Sequence, residues 1–151
     1  MAFREISVEE LKDNPFTLIN KDWMLITAGN REKHNTMTAS WGGVGELWGR
    51  YVSTIYIRPQ RYTLEFVERE DYYSLCFFGP EYRQALNLCG SKSGREVDKD
   101  AATGLTPCFD EAAPYYEQAR LVFLCRKLYR QDLEEGCFLD KGLLEKWYDN
   151  D

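Results

Sequence analysis

The sequence predicts a mainly β chain with helices packed on it, an α+β fold whose strands close into a barrel. Strand-forming runs outnumber helical ones, and two of them, Trp23 to Ala28 and His34 to Trp41, face each other across Gly29-Asn30 as a hairpin pair. The helical stretches between strands are too few to supply the crossovers of a doubly wound parallel sheet.

Ser7 stands three residues before Glu10, the pattern of a capping box, and Val8 and Leu11 suit a short helix that stops before Pro15. After the hairpin, a glycine-rich stretch from Gly42 to Gly49 leads into Tyr51 to Ile57, whose β-branched and aromatic residues mark the clearest strand. From Tyr62 the spacing turns helical, with Leu64, Phe66 and Val67 on one face and Glu65, Glu68, Arg69 and Glu70 on the other. Tyr72 to Phe78 is a further strand, broken by Gly79-Pro80, and Glu81 to Cys89 is a helix that Gly90 is expected to cap. Ser91 to Gly104 reads as a charged loop, Arg120 to Tyr129 as a long strand with apolar residues on both faces, and Leu143 to Tyr148 as a short amphipathic end.

With 151 residues, 44% of them apolar, and no linker or repeat, residues 1–151 are expected to form one domain. The net charge of -6 argues against a nucleic-acid partner, which would need clustered cations to displace counterions. The first residues lack an apolar signal core and no apolar run approaches the ~20 residues of a membrane span, so a cytoplasmic protein without a membrane partner is expected. Five cysteines without CxxC spacing and a single histidine make a metal site improbable; the thiols are expected to be reduced and mostly buried.

Gly43, Gly45 and Gly49 miss the GxGxxG spacing and precede a strand, which excludes a dinucleotide fingerprint. The phosphate-loop, nucleophile-elbow and HExxH patterns are also absent. Three clusters remain. Arg58-Pro59-Gln60-Arg61-Tyr62-Thr63 places two guanidinium groups and two hydroxyls where a strand meets a helix start, an arrangement suited to a phosphate; Arg58 and Arg61 paired with Glu65 and Glu68 is the competing reading. Lys92-Ser93-Gly94-Arg95 with Asp98-Lys99 is a basic loop able to offer hydroxyl and backbone donors, or a solvated one. Asn35 to Trp41 is an extended run of small and hydroxylated residues that lets a flat ring approach the backbone, although strand packing explains the same residues.

In this order the clusters resemble the flavin-reductase-like, or flavoredoxin-like, family of FMN-binding split β-barrels. The matching stretches are His34 to Gly43, Arg58 to Thr63, Gly90 to Arg95 with Asp98-Lys99, and Gly104-Leu105-Thr106-Pro107. The resemblance implies a bound FMN and a homodimer with its two sites at or near the subunit interface. It places Met37, Thr38, Ala39, Ser40 and Trp41 along the isoalloxazine ring, Arg61 and Thr63 at the phosphate with Arg58 in support, and Ser93 and Lys99 on the second loop. It implies no catalytic side chain, because the flavin accepts hydride or electrons itself, and His34 is expected to be an exposed turn residue. The donor would be NAD(P)H or a ferredoxin-type protein; a non-catalytic FMN-binding module or sensor is the alternative. Members of that family continue past a Trp-Tyr pair like Trp147-Tyr148 into a closing strand, whereas this chain stops at Asp151. An unpaired barrel edge is therefore expected unless a partner subunit covers it, which leaves turnover less secured than binding.

Overall fold

The computed structural model describes residues 3–149, so the expectation attached to the chain end at Asp151 lies outside the described residues. The capping box at Ser7 and Glu10 forms, but it closes only a 3-10 turn over Val8–Glu10. Pro15 begins the next helix instead of merely ending the first: α1 (Pro15–Thr17), capped by Asn14, runs into a π-type turn over Leu18–Asp22. Proline suits that first position because its missing N–H has no intrahelical partner there.

The chain then forms β1 (Met24–Gly29), β2 (His34–Ala39), β3 (Gly42–Leu47) and β4 (Arg50–Ile55). The glycine-rich stretch expected only as a lead-in is mostly strand β3, paired antiparallel with β4 from Gly42↔Ile55 to Leu47↔Arg50. Next come α2 (Thr63–Arg69), β5 (Tyr72–Phe77), α3 (Arg83–Ser91), α4 (Lys99–Thr103), β6 (Pro107–Cys108), β7 (Tyr115–Tyr116), β8 (Leu121–Arg126) and α5 (Lys141–Trp147). The segment expected to be one charged loop thus contains a helix, capped by the Asp98 side chain and ended by Gly104 at a positive φ.

The main sheet is antiparallel in the order β2-β1-β5-β8, with β2 at one edge. Every residue of β1 is buried, because both sheet faces are covered and alternate side chains enter two different cores. Met24, Ile26 and Ala28 join Met37, Ala39, Phe66, Val67, Leu75 and Phe77 beneath α2. Leu25 joins Cys76, Phe78, Leu86, Cys89, Leu105 and Tyr116 beneath α3 and the β6–β7 ribbon. Burying a side chain the size of Phe66 contributes roughly 2–3 kcal/mol, so α2 is held by its apolar stripe. The polar interruption, Thr27, is matched across the strand pair by Thr36, their hydroxyl oxygens 2.8 Å apart.

Gly90 lies inside α3 and does not cap it; the helix continues to Ser91 with Lys92 as its C-cap. A Cβ at Gly90 would stand 3.2 Å from the Thr38 Cβ, so the missing side chain lets α3 approach β2. Strand β8 is half exposed, with Leu124 open to solvent, and of the five free cysteines only Cys76 and Cys89 are fully buried. Among the described residues no helix is long and apolar enough to cross a membrane, and no His, Cys, Asp and Glu group could hold a metal ion.

Candidate flavin site along the free edge of β2

Edge strand β2 sets the geometry. The Asn30 N–H donates to the Lys33 carbonyl across the hairpin turn, and from there the pairs of an antiparallel ladder alternately exchange and omit backbone bonds. Asn35, Met37 and Ala39 fall in the pairs bonded to β1, and Thr36 and Thr38 in the pairs that are not. The backbone N–H and C=O of Thr36 and Thr38 therefore point to the open edge. Lys99 Nζ donates to the Thr36 carbonyl at 2.6 Å from that side, as this register requires.

The slot beside this edge is walled by α3, α4 and the loop between them. Lys99, the first residue of α4, is only 6% exposed and also donates to the Cys89 carbonyl at 3.0 Å. A Cβ at Gly94 would come within 2.0 Å of Asn35 Oδ1, so a side chain there would displace the Asn35 amide. Asn35 Nδ2 in turn donates to Thr63 Oγ1 at 2.9 Å, which ties the start of β2 to the start of α2. A cleft of about 420 Å³ opens at this end, lined among others by Asn35, Thr36, Tyr62, Gly94, Lys99 and Asp100.

Arg61 is the main electrostatic feature. Its Nη2 is buried and is the one buried side-chain nitrogen or oxygen without a hydrogen-bond partner among the described residues. Burial, and secondarily the charge of Arg58, pull its pKa below the ordinary guanidinium value. The expected competitors for it are engaged elsewhere: Glu65 pairs with Arg95, and Glu68 with Arg130. Lys99 is pulled down to about 8, chiefly by burial; Cys89 partly offsets this and Arg61 adds to it. Burial disfavours the charged form of both groups, and a neighbouring arginine adds to it in each case, Arg58 for Arg61 and Arg61 for Lys99, a setting that an anion would suit.

The residues expected to bind a cofactor divide by position. Thr63, through Asn35, and Lys99, through the Thr36 carbonyl, meet at the Asn35–Thr36 end; Arg61 does not line the cleft itself but is near enough for its charge to act on Lys99. Met37, in the middle of β2, and Ala39, its last residue, have side chains in the core and backbones turned to β1. Thr38 reaches the free edge with its backbone, while its hydroxyl donates to the Leu86 carbonyl at 2.5 Å and anchors α3. Ser93 Oγ accepts from the Arg95 N–H at 3.1 Å within its own loop. At the far end, Arg58 lies over the rings of Trp41 (5.4 Å) and Tyr148 (5.3 Å), and Trp147 packs edge-on against Trp41 at 5.2 Å. Arg58 thus belongs to the Trp41 end as well as to Arg61.

His34 is not an exposed turn residue. It opens β2 half-buried, and its Nε2 lies 2.5 Å from Asp100 Oδ2, while Tyr116 Oη donates to Asp100 Oδ1 at 2.6 Å. Burial and Asp100 hold the Tyr116 hydroxyl well above its usual pKa. Sequence reasoning missed Asp100, and it had Asn35 and Tyr62 within its clusters without giving either a role of its own in the site. The helix-capping pattern at Asp98 could have placed Asp100 on α4, but the return of Tyr116 is a tertiary event with no local signal.

The sequence model of the flavin reductase-like domain matches residues 17–138, and the chain belongs to that family. No curated protein is detectably similar in sequence. Among solved structures, the flavoredoxin of Desulfovibrio vulgaris (Miyazaki F) superposes with a TM-score of 0.67 at 20% identity, over 85% of this chain and 69% of that one. An FMN-binding domain of a flavin reductases-like enzyme from Shewanella baltica gives 0.66 at 15% identity, over 88% and 66%. Flavoredoxin from Methanosarcina acetivorans gives 0.67 at 18%, over 88% and 68%. The chain spans about two thirds of these proteins, and the likeness establishes the split-barrel fold.

Proposed function

We propose that this chain is an FMN-binding oxidoreductase or electron-transfer domain whose flavin lies along the free edge of β2. The observation that carries this is Arg61, a half-buried guanidinium with one buried, unpartnered nitrogen, close to Lys99 and two residues before Thr63, which Asn35 binds. Such an arrangement suits a phosphate dianion, which would supply the missing acceptor and offset both buried charges. From Asn35 to Ser40 an extended strand covers roughly 17 Å, enough for the ring and ribityl chain of a flavin with its phosphate at the Arg61 end. The Thr38 N–H and C=O would meet the polar ring edge, with Ser40 and Trp41 beside the ring. The flavin family and the FMN-binding proteins with this fold support the choice of ligand.

Bound FMN supplies hydride and single-electron chemistry at its ring, so the chain's own tasks are to bind, orient and shield. Lys99 and Arg61 hold charge at the phosphate end, and α3 and the Gly94 loop exclude water from the slot. A homodimer would cover the apolar side chains exposed at the turn between β3 and β4 and beyond β8, where Trp48 is 61% and Leu139 is 99% exposed. NAD(P)H or a ferredoxin-type protein would be the donor.

Titration with FMN, followed by flavin fluorescence and co-elution on gel filtration, tests the binding. Arg61→Ala is expected to release the flavin; stoichiometric retention would show the phosphate is misplaced. Anaerobic mixing of the loaded protein with NADH, NADPH or reduced ferredoxin then separates the donors. Bleaching of the visible band by none of them would leave the chain a flavin-binding module.

A further inference from the structure

A second cleft, of about 370 Å³, lies at the other end of β2, between α1 and the start of β3. Its lining is Pro15, Phe16, Ile19, Asn20, Ser40, Trp41, Gly42, Gly43 and Val44, and none of these side chains carries a charge. Phe16 forms one wall and is 82% exposed, so the face of its ring is open to an occupant of the cleft. The ring is not there through disorder of a loose turn. Its backbone N–H donates to the Asn14 side chain at 2.9 Å, the Thr17 hydroxyl donates to the Asn14 carbonyl, and Pro15 fixes the first helical residue. The Trp41 wall is held from elsewhere by Trp147, Tyr148 and Arg58. Size, apolar walls and a few polar groups are the usual makeup of a small-molecule cleft.

We propose that this cleft binds a flat, uncharged, largely apolar molecule between Phe16 and the Ser40–Gly43 segment. A charged ligand would surrender its hydration here without gaining a counter-charge, whereas a neutral ring gains contact with Phe16, Ile19 and Trp41. Its role as the second reactant at the ring end of β2 rests on the flavin reading; its ligand chemistry rests on the lining alone.

The test uses phenylnaphthylamine, a neutral fluorophore that brightens in apolar surroundings, and anilinonaphthalene sulfonate, which adds an anionic group to the same rings. The full chain is expected to bind the neutral probe saturably and the sulfonate roughly tenfold more weakly. Phe16→Ala, at an exposed position, is expected to weaken the neutral probe roughly tenfold, and Val44→Asp to do so by placing a charge in the lining. Val8→Ser, which alters an exposed apolar side chain outside the lining, is expected to leave binding unchanged. Absence of saturable binding by the neutral probe, equal affinity for the two probes, or indifference to both Phe16→Ala and Val44→Asp would overturn the proposal. An FMN titration on the same samples separates the two readings: Arg61→Ala should lose FMN and keep the probe, and Phe16→Ala the reverse. FMN binding without a Phe16-dependent probe site defeats the cleft alone, and the probe site without FMN binding defeats the flavin reading alone.

Discussion

The two ends of β2 present opposite environments within one short strand. At the His34–Thr36 end, eight of the sixteen residues lining the cleft are charged; at the Ser40–Trp41 end, none of nine is. The charged end also carries what folding alone would not select, a buried Arg61 nitrogen without a partner and a buried ammonium at Lys99. The neutral end carries an exposed Phe16 on a capped turn. The two ends therefore suit different ligand chemistries, an anion at one and an apolar ring at the other.

The largest expected effect tests the charged end. Arg61→Ala should weaken FMN binding by at least about a hundredfold, since a charge-assisted phosphate contact is lost. The same change should leave the flavin-free chain as stable as before, or stabilise it by up to about 1 kcal/mol, because a half-buried cation with a buried, unpartnered nitrogen is removed. Thermal melts with and without FMN check both signs. Destabilisation of the flavin-free chain would mean that Arg61 serves the fold.

Lys99 sharpens the same end through pH. Its folded pKa of about 8 lies below the ordinary 10.5, so between these values the unfolded chain keeps a proton that the folded chain has released. Wild-type stability should therefore rise relative to Lys99→Met by roughly 2 kcal/mol as pH climbs through that window, and level off above it. Taking the difference removes the thiols and phenols that titrate in the same range. A bound phosphate favours charged Lys99, so FMN affinity should fall as pH rises past about 8. A flat affinity profile in isothermal titrations would place the phosphate away from Lys99.

How much of this was legible in the sequence follows from the range of the interactions. The β1–β2 hairpin and α2 were readable because β-formers around Gly29-Asn30 and an apolar stripe at Leu64, Phe66 and Val67 are local signals. Strand β3 was hidden because glycine has low strand propensity, and its pairing with β4 overrides that. Gly90 looked like a helix cap when its function is contact with Thr38, a partner 52 residues away in sequence. The clusters containing Arg61 and Lys99 were visible as composition, but that Glu65 and Glu68 would be occupied by Arg95 and Arg130 depends on tertiary placement. The neutral cleft had no sequence signal at all, since it forms between α1 and β3.

Thr38 separates backbone from side chain at the middle of the strand. Thr38→Val removes the hydroxyl donated to Leu86 and should cost about 1 kcal/mol of stability in denaturant melts. FMN affinity should change by less than about threefold, because the edge N–H and C=O remain. A large loss of FMN with little change in stability would assign the ring contact to the hydroxyl.

The smallest expected effect comes from Glu65, on the rim of the charged end. Its pair with Arg95 is exposed on both sides, and such pairs contribute at most about 1 kcal/mol, often nothing measurable. Glu65→Ala should therefore leave the melting curve almost unmoved. Arg95 still lies over the Tyr62 ring at 4.4 Å, so its guanidinium keeps a contact at the cleft wall. With a carboxylate removed from the rim, FMN affinity should rise by up to about twofold at low salt and return to the wild-type value at high salt, where an exposed charge is screened. The same substitution should not affect a neutral probe at the Phe16 end under either condition. If Glu65→Ala altered both ligands alike, the two clefts would not be electrostatically separate, and the division along β2 would fail at its weakest point.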